Sequence, residues 1–104
     1  MSFSSAQIES QKNILKELIK GILDGLEMEK YELKIDLTPA LCTVIVRLSE
    51  KNSVTFLRVA TKEIRQFFKS YDHLFVKYEY AGKMVYKVAA DGSEDIAEEW
   101  NTGV

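Results

Sequence analysis

The sequence predicts an α+β two-layer sandwich: helix, hairpin, helix, hairpin in chain order (αββαββ), with a short acidic helix at the C-terminus. Three observations predict it. The stretches 14–48 and 56–88 carry the same apolar pattern, repeated at an offset of roughly forty residues. Two segments, 31–37 and 74–80, alternate apolar and polar side chains as half-buried strands do. Two others place apolar residues at three- and four-residue spacing, the signature of a helix with one buried stripe. Together they give a four-stranded, mostly antiparallel sheet with both long helices on one face.

The first helix is expected to start at Ser5. Ser4 as N-cap with Gln7 makes a capping box, and Phe3 and Ile8 occupy the positions of a hydrophobic staple. Ile8, Leu15, Leu18, Ile19, Ile22 and Leu26 form its apolar stripe, and Gly25 offers a stop, so the end falls between Gly25 and Glu29. In the first strand Tyr31, Leu33, Ile35 and Leu37 alternate with Glu32, Lys34 and Asp36. A Thr38-Pro39-Ala40-Leu41 turn sets Leu37 opposite Cys42, Ile35 opposite Val44, Leu33 opposite Val46 and Tyr31 opposite Leu48. The same register puts Glu32 beside Arg47 on the wet face.

Residues 54–59 are β-branched and aromatic enough for a strand followed by a shorter, Thr61-capped helix. Alternatively Ser53 caps one longer helix with Leu57, Ala60, Ile64, Phe67, Phe68 and Tyr71 on its stripe. The helical reading preserves the repeat and is preferred. In the second hairpin, matching Leu74, Val76, Tyr78 and Tyr80 with Met84, Tyr86, Val88 and Ala90 requires a three-residue loop, Ala81-Gly82-Lys83. Asp91-Gly92-Ser93 ends it, and residues 94–100 can form two turns of acidic helix with Ile96, Ala97 and Trp100 on one side.

A chain of 104 residues forms one domain, here a core of residues 1–90 and an acidic segment, 91–104. Its composition, 46% hydrophobic and 29% charged with one proline, excludes a disordered tail. The lone Cys42 makes no internal disulfide, and no Cys/His cluster exists to hold a structural metal. A reducing, cytoplasmic setting is therefore expected. The N-terminus has no secretory pattern and no apolar run reaches the length of a membrane span, so no membrane association is expected.

No catalytic constellation is recognisable. His73, the only histidine, follows Asp72 with no serine or cysteine spaced as a triad, and Cys42 falls on the buried side of its strand. No phosphate loop, zincin motif or calcium loop occurs, and the carboxylates of 94–99 read as a solvated face. The expectation is a non-enzyme without cofactor or metal.

Charge is unevenly distributed. Residues 1–43 carry −2, 44–87 carry +5 and 88–104 carry −5. Arg58, Lys62, Arg65 and Lys69 make one basic stripe on the second helix, which the acidic tail can cover. Alternatively, Ile96 and Trp100 cap the apolar core. The sheet face away from the helices, with Lys34, Ile45, Arg47, Phe75, Lys77, Val85 and Lys87, mixes apolar and cationic side chains in the manner of a contact surface. The function that follows is a non-catalytic protein-protein interaction module of adaptor, inhibitor or small-chaperone type, acting through that face on a protein partner or as a homodimer. The alternative is a nucleic-acid-binding accessory protein using the stripe 58–69 and the Phe75, Lys77 and Lys87 surface, although a sequence pI near 5.4 argues against it.

Overall fold

The first helix does not stop at a glycine in left-handed conformation. In the computed structural model, which describes residues 5–28, 30–38, 41–68 and 73–97, α1 spans Ser5–Gly25 and closes with Glu27 at φ 62°. The Glu27 amide donates to the Asp24 carbonyl at 3.0 Å and the Met28 amide to the Leu23 carbonyl at 3.0 Å, a Schellman closure. Met28 and Leu23, its two apolar flanks, are both buried. The expected cap at Ser4 and staple at Phe3 lie outside the described residues.

Strands β1 (Tyr31–Leu37) and β2 (Cys42–Leu48) pair antiparallel in the register that the face-matching argument requires, from Tyr31 opposite Leu48 to Leu37 opposite Cys42. The turn is held by Thr38, whose amide donates to the Leu41 carbonyl at 2.8 Å and whose hydroxyl accepts from the Leu41 amide at 3.0 Å. Residues 54–59 are helical. Ser53 caps α2 (Val54–Phe67), its hydroxyl accepting from the Phe56 amide at 3.1 Å, and Leu57, Ala60, Thr61, Ile64 and Phe68 form the buried stripe. β-Branched residues do not prevent this, because one cap and one apolar stripe outweigh weak local preferences.

β3 (Leu74–Tyr80) returns parallel to β2, with Val44 opposite Val76 and Val46 opposite Tyr78. The connection between two parallel strands is α2, which spans the required crossover. β3 pairs antiparallel with β4 (Lys83–Val88). Their loop is two residues, Ala81-Gly82, rather than the expected three. Both have positive φ, 53° and 79°, which is the geometry of a type I′ turn. The shortened turn sets Tyr80 opposite Lys83 and Glu79 opposite Met84, and a bulge at Val85 restores the expected partners Tyr78–Tyr86 and Val76–Val88.

Among the described residues the sheet has five strands, not four, in the order β1-β2-β3-β4-β5, and it is mixed, with the parallel seam between β2 and β3. The fifth strand, β5 (Glu94–Ile96), stands where an acidic helix was expected to begin, pairing antiparallel with β4. A tight turn delivers it: the Ala89 amide donates to the Ser93 carbonyl and the Gly92 amide to the Ala89 carbonyl, both at 2.9 Å, with Gly92 at φ 91°. Alternation then sends Glu94 and Ile96 to one face, which a helical turn does not do.

One core unites the stripes of both helices with one face of the sheet. It includes Leu15, Ile19 and Leu23 of α1, Leu57 and Ile64 of α2, and Val44, Val46, Val76 and Tyr78 of the central strands. Its polar element is fully satisfied. Thr61 donates to the Leu57 carbonyl at 2.7 Å and meets the Tyr78 hydroxyl at 2.9 Å, while the Tyr78 and Tyr86 rings stack at 5.7 Å. Among the described residues no helix is long and apolar enough to cross a membrane.

Candidate functional site

Side chains on the sheet face opposite the helices fall into three cross-strand rows. Strands stand about 4.8 Å apart, so residues in register form a ladder across the sheet. One row reads Glu32, Arg47, Glu79, Met84. Arg47 lies between two carboxylates, its Nη1 3.7 Å from Glu32 Oε2 and its Nε 3.3 Å from Glu79 Oε1. The next row reads Lys34, Ile45, Lys77, Lys87, Asp95, and the third Asp36, Thr43, Phe75.

The central row breaks an elementary rule of sheet stability. Lys77 stands directly opposite Lys87, and like charges in that position repel. None of Lys34, Lys77 and Lys87 forms an ion pair among the described residues. Ile45 and Phe75 beside them are half-buried, so apolar surface is interleaved with lysines that form no such ion pair, although Asp95 stands opposite Lys87 at the end of the row.

Five of the six residues expected on this face stand in its rows: Ile45, Arg47, Phe75, Lys77 and Lys87. Val85 is corrected. It is the inserted residue of the bulge and only 3% exposed, so it is not available for contact. Met84 takes a place there instead, since the bulge sets it opposite Glu79. Strict alternation from Tyr86 puts Met84 with the core, and nothing in the local sequence marks the inserted residue.

The basic stripe of α2 faces β5 across a cavity of about 560 Å³, whose lining includes Arg58, Lys62, Arg65, Tyr86 and Glu94. Arg58 holds Glu94 through two bonds, Nε to Oε1 at 2.9 Å and Nη2 to Oε2 at 3.1 Å. The Tyr86 hydroxyl donates to Glu94 Oε1 at 2.6 Å. These hydrogen bonds, Arg58 first and then Tyr86, hold the Glu94 carboxyl below its ordinary range. Burial, together with the bond to Glu94, pushes the Tyr86 phenol upward. Arg65 donates to the Ala90 carbonyl at 3.1 Å and lies over Gly92, where a Cβ would meet its Nη1 at 3.1 Å.

The start of the acidic tail therefore lies against the stripe, and Ile96 and Ala97 pack on the core at the same time. One strand thus carries a contact expected from each sequence reading of the tail, Glu94 on Arg58 and Ile96 on the core. Lys69 and Trp100 lie outside the described residues.

Cys42 and His73 are brought close in the chain trace, the Cys42 amide donating to the His73 carbonyl at 2.9 Å. Their side chains have different surroundings: Cys42 is 2% exposed, with its thiol pushed up by burial, and His73 is exposed. Among the described residues no group of three or more His, Cys, Asp or Glu is placed to hold a metal ion. Neither a protein family, nor a characterised protein, nor a solved structure matches this chain.

Proposed function

We propose that the chain is a non-catalytic protein-interaction module of adaptor, inhibitor or small-chaperone type, binding a partner protein or a second copy through the open sheet face. The observation that carries this reading is the lysine row. A fold selected for stability alone gains from an opposite charge or a threonine at Lys77 or Lys87, whereas an acidic ridge on a partner turns the repulsion into attraction on contact. Ile45 within the row, and Phe75 and Met84 in the flanking rows, supply apolar area for the same contact.

The charge balance of the face favours protein over nucleic acid. Glu32, Asp36, Glu79 and Asp95 stand against Lys34, Arg47, Lys77 and Lys87 on it. A polyanion gains affinity by having many phosphates neutralised together, and rows of carboxylate on both sides of the lysines oppose that. Charges of both signs placed at fixed positions suit a protein surface, where complementary charges also fix register.

Solution mass tests the proposal, measured by sedimentation on the chain alone and after affinity capture from native extract. The assembly is expected to dissociate on Phe75→Glu and on Lys77→Glu. Assemblies that survive both substitutions overturn the open-face reading, and an assembly dispersed by nuclease replaces it with the nucleic-acid reading.

A further inference from the structure

The cavity between α2 and the edge of β4 holds more positive charge than the chain itself uses. Arg58, Lys62 and Arg65 line it, and among the described residues Glu94 is the one carboxylate in its lining. Lys62 has no ion-pair partner among the described residues, and Arg65 is spent on a backbone carbonyl. Its lining also includes Phe68, Leu74 and Val88, which are apolar and buried. The strand that enters it is short: β5 covers three residues of β4.

We propose that this groove is a binding site for an extended acidic segment of a partner protein, and that β5 is its intramolecular occupant. The reading is independent of the open sheet face and lies on the helix side of the same sheet. The chain shows which chemistry fits. A carboxylate at the first position is received by the Arg58 guanidinium and the Tyr86 hydroxyl, and an aliphatic side chain two residues on is received by the core, as Glu94 and Ile96 are. Between them the backbone adds to the β4 edge, the usual mode of strand addition. A partner segment with a second carboxylate has Lys62 beside it to pair with. It thus offers the groove more than β5 does and displaces it.

Displacement is feasible because β5 is the least anchored element of the sheet. It has three residues, an edge position and two exposed residues, Glu94 and Asp95, so it belongs to the class of segments that open without global unfolding. Its departure leaves Arg58 and Tyr86 as preorganised donors in an open groove.

The test uses the full chain and, as probe, a labelled peptide repeating residues 91–97. Glu94→Ala removes the internal strand's three bonds to Arg58 and Tyr86 without touching those receiving side chains, and it is expected to bind the peptide at least roughly tenfold more tightly than the unaltered chain, the fold-change that even one charge-assisted hydrogen bond supplies. Arg58→Ala combined with Glu94→Ala is expected to lose that binding, as is a peptide carrying glutamine in place of its glutamate. Lys77→Glu leaves it unchanged, which separates this site from the open face. Equal affinity of the unaltered and Glu94→Ala chains, or equal binding of the glutamine peptide, overturns the proposal. Hydrogen exchange on the unaltered chain gives a readout free of any variant. The Ala97 amide, bonded to the Val85 carbonyl at 2.9 Å, is expected to exchange far faster than the amides of β2. Exchange of both at the global rate means that β5 does not open alone, and the inference fails.

Discussion

Thr61 of α2 and Tyr78 of β3 share a hydrogen bond of 2.9 Å inside the core, where both are almost fully buried. The single hydroxyl proton of Thr61 goes to the Leu57 carbonyl at 2.7 Å, so the Tyr78 phenol is the donor of the pair. Thr61→Val leaves that phenol buried without an acceptor and is expected to cost about 1–3 kcal/mol. Tyr78→Phe leaves Thr61 still bonded to Leu57 and costs about 1 kcal/mol. In urea denaturation the double variant is expected to lose less than the two single losses combined, and strict additivity would show that the pair is not coupled.

Two turns carry residues that are poorly suited to their backbone. Ala81 at φ 53° precedes Gly82 in a type I′ turn whose favoured pair is Asn-Gly, and Glu27 at φ 62° occupies the helix-closing position that glycine prefers. Ala81→Asn and Glu27→Gly are each expected to stabilise the fold by roughly 1 kcal/mol through relief of left-handed backbone strain. Denaturation midpoints check this, with an unchanged or lowered midpoint counting against the turn assignment.

The β5 strand is expected to respond to pH. Glu94 faces Arg58, Lys62 and Arg65 from α2 and Tyr86 from β4, while Asp91 in the preceding turn accepts from the Ser93 hydroxyl and amide. The Ser93 bonds lower the Asp91 carboxyl, as Arg58 and Tyr86 lower Glu94. A carboxyl lowered by folding contributes stability above its unfolded value, ordinarily 4.5 for glutamate, and loses it as pH falls through the folded value. Tyr86, raised by burial, acts at the other end, and its contribution declines above its ordinary value of 10.0. Protection of the Ala97 amide relative to β2 is therefore expected to hold through neutral pH and to fall below the ordinary carboxylate range. Flat relative protection through acid contradicts the role given to Glu94.

Cys42 is expected to be inert in the folded protein. It is 2% exposed at the head of β2, and burial raises its thiol above the ordinary value. An aromatic disulfide reagent should label it only in denaturant, and rapid labelling of the native chain would show that the end of the β2–β3 seam opens locally.

Lys77→Glu is expected to raise stability by about 0.2–1 kcal/mol while weakening association, because it replaces a repelling cross-strand pair by an attracting one. Adding Lys87→Glu restores like charges and is expected to remove the gain. A single reversal that lowers stability would mean that the lysine pair does not carry the repulsion assigned to it.

Both helices, four strands and the β1–β2 register were legible in the sequence because strict alternation and single apolar stripes leave one solution. Ser53 resolved residues 54–59 in favour of a helix. What escaped was set by geometry that alternation does not encode. The inserted Val85 exchanged its expected exposure with Met84. β5 is not legible because Glu94, Asp95 and Ile96 form a short acidic run with no local strand signal. It is held by pairing with β4 and by the bonds of Glu94 to Tyr86 on that strand and to Arg58, which is distant in sequence and adjacent only after folding. Alternation places Ile45, Arg47, Phe75, Lys77 and Lys87 on one sheet face, but the lysine row is visible only once the parallel seam sets Ile45 beside Lys77.

That seam also decides how the chain comes together. β1 with β2, and β3 with β4 and β5, are pairings between sequence neighbours joined by short turns. Each can zip up early on its own. Between β2 and β3 every partner lies thirty-two residues away, from Cys42 with Leu74 to Leu48 with Tyr80. The entropy of closing that loop has to be met before Val44, Val76 and Tyr78 are buried together. The rate-limiting step of folding is thus expected to be the docking of two preformed halves with α2 laid between them. Substitutions at Val44 and Val76 should slow folding, and those in β5 should only hasten unfolding.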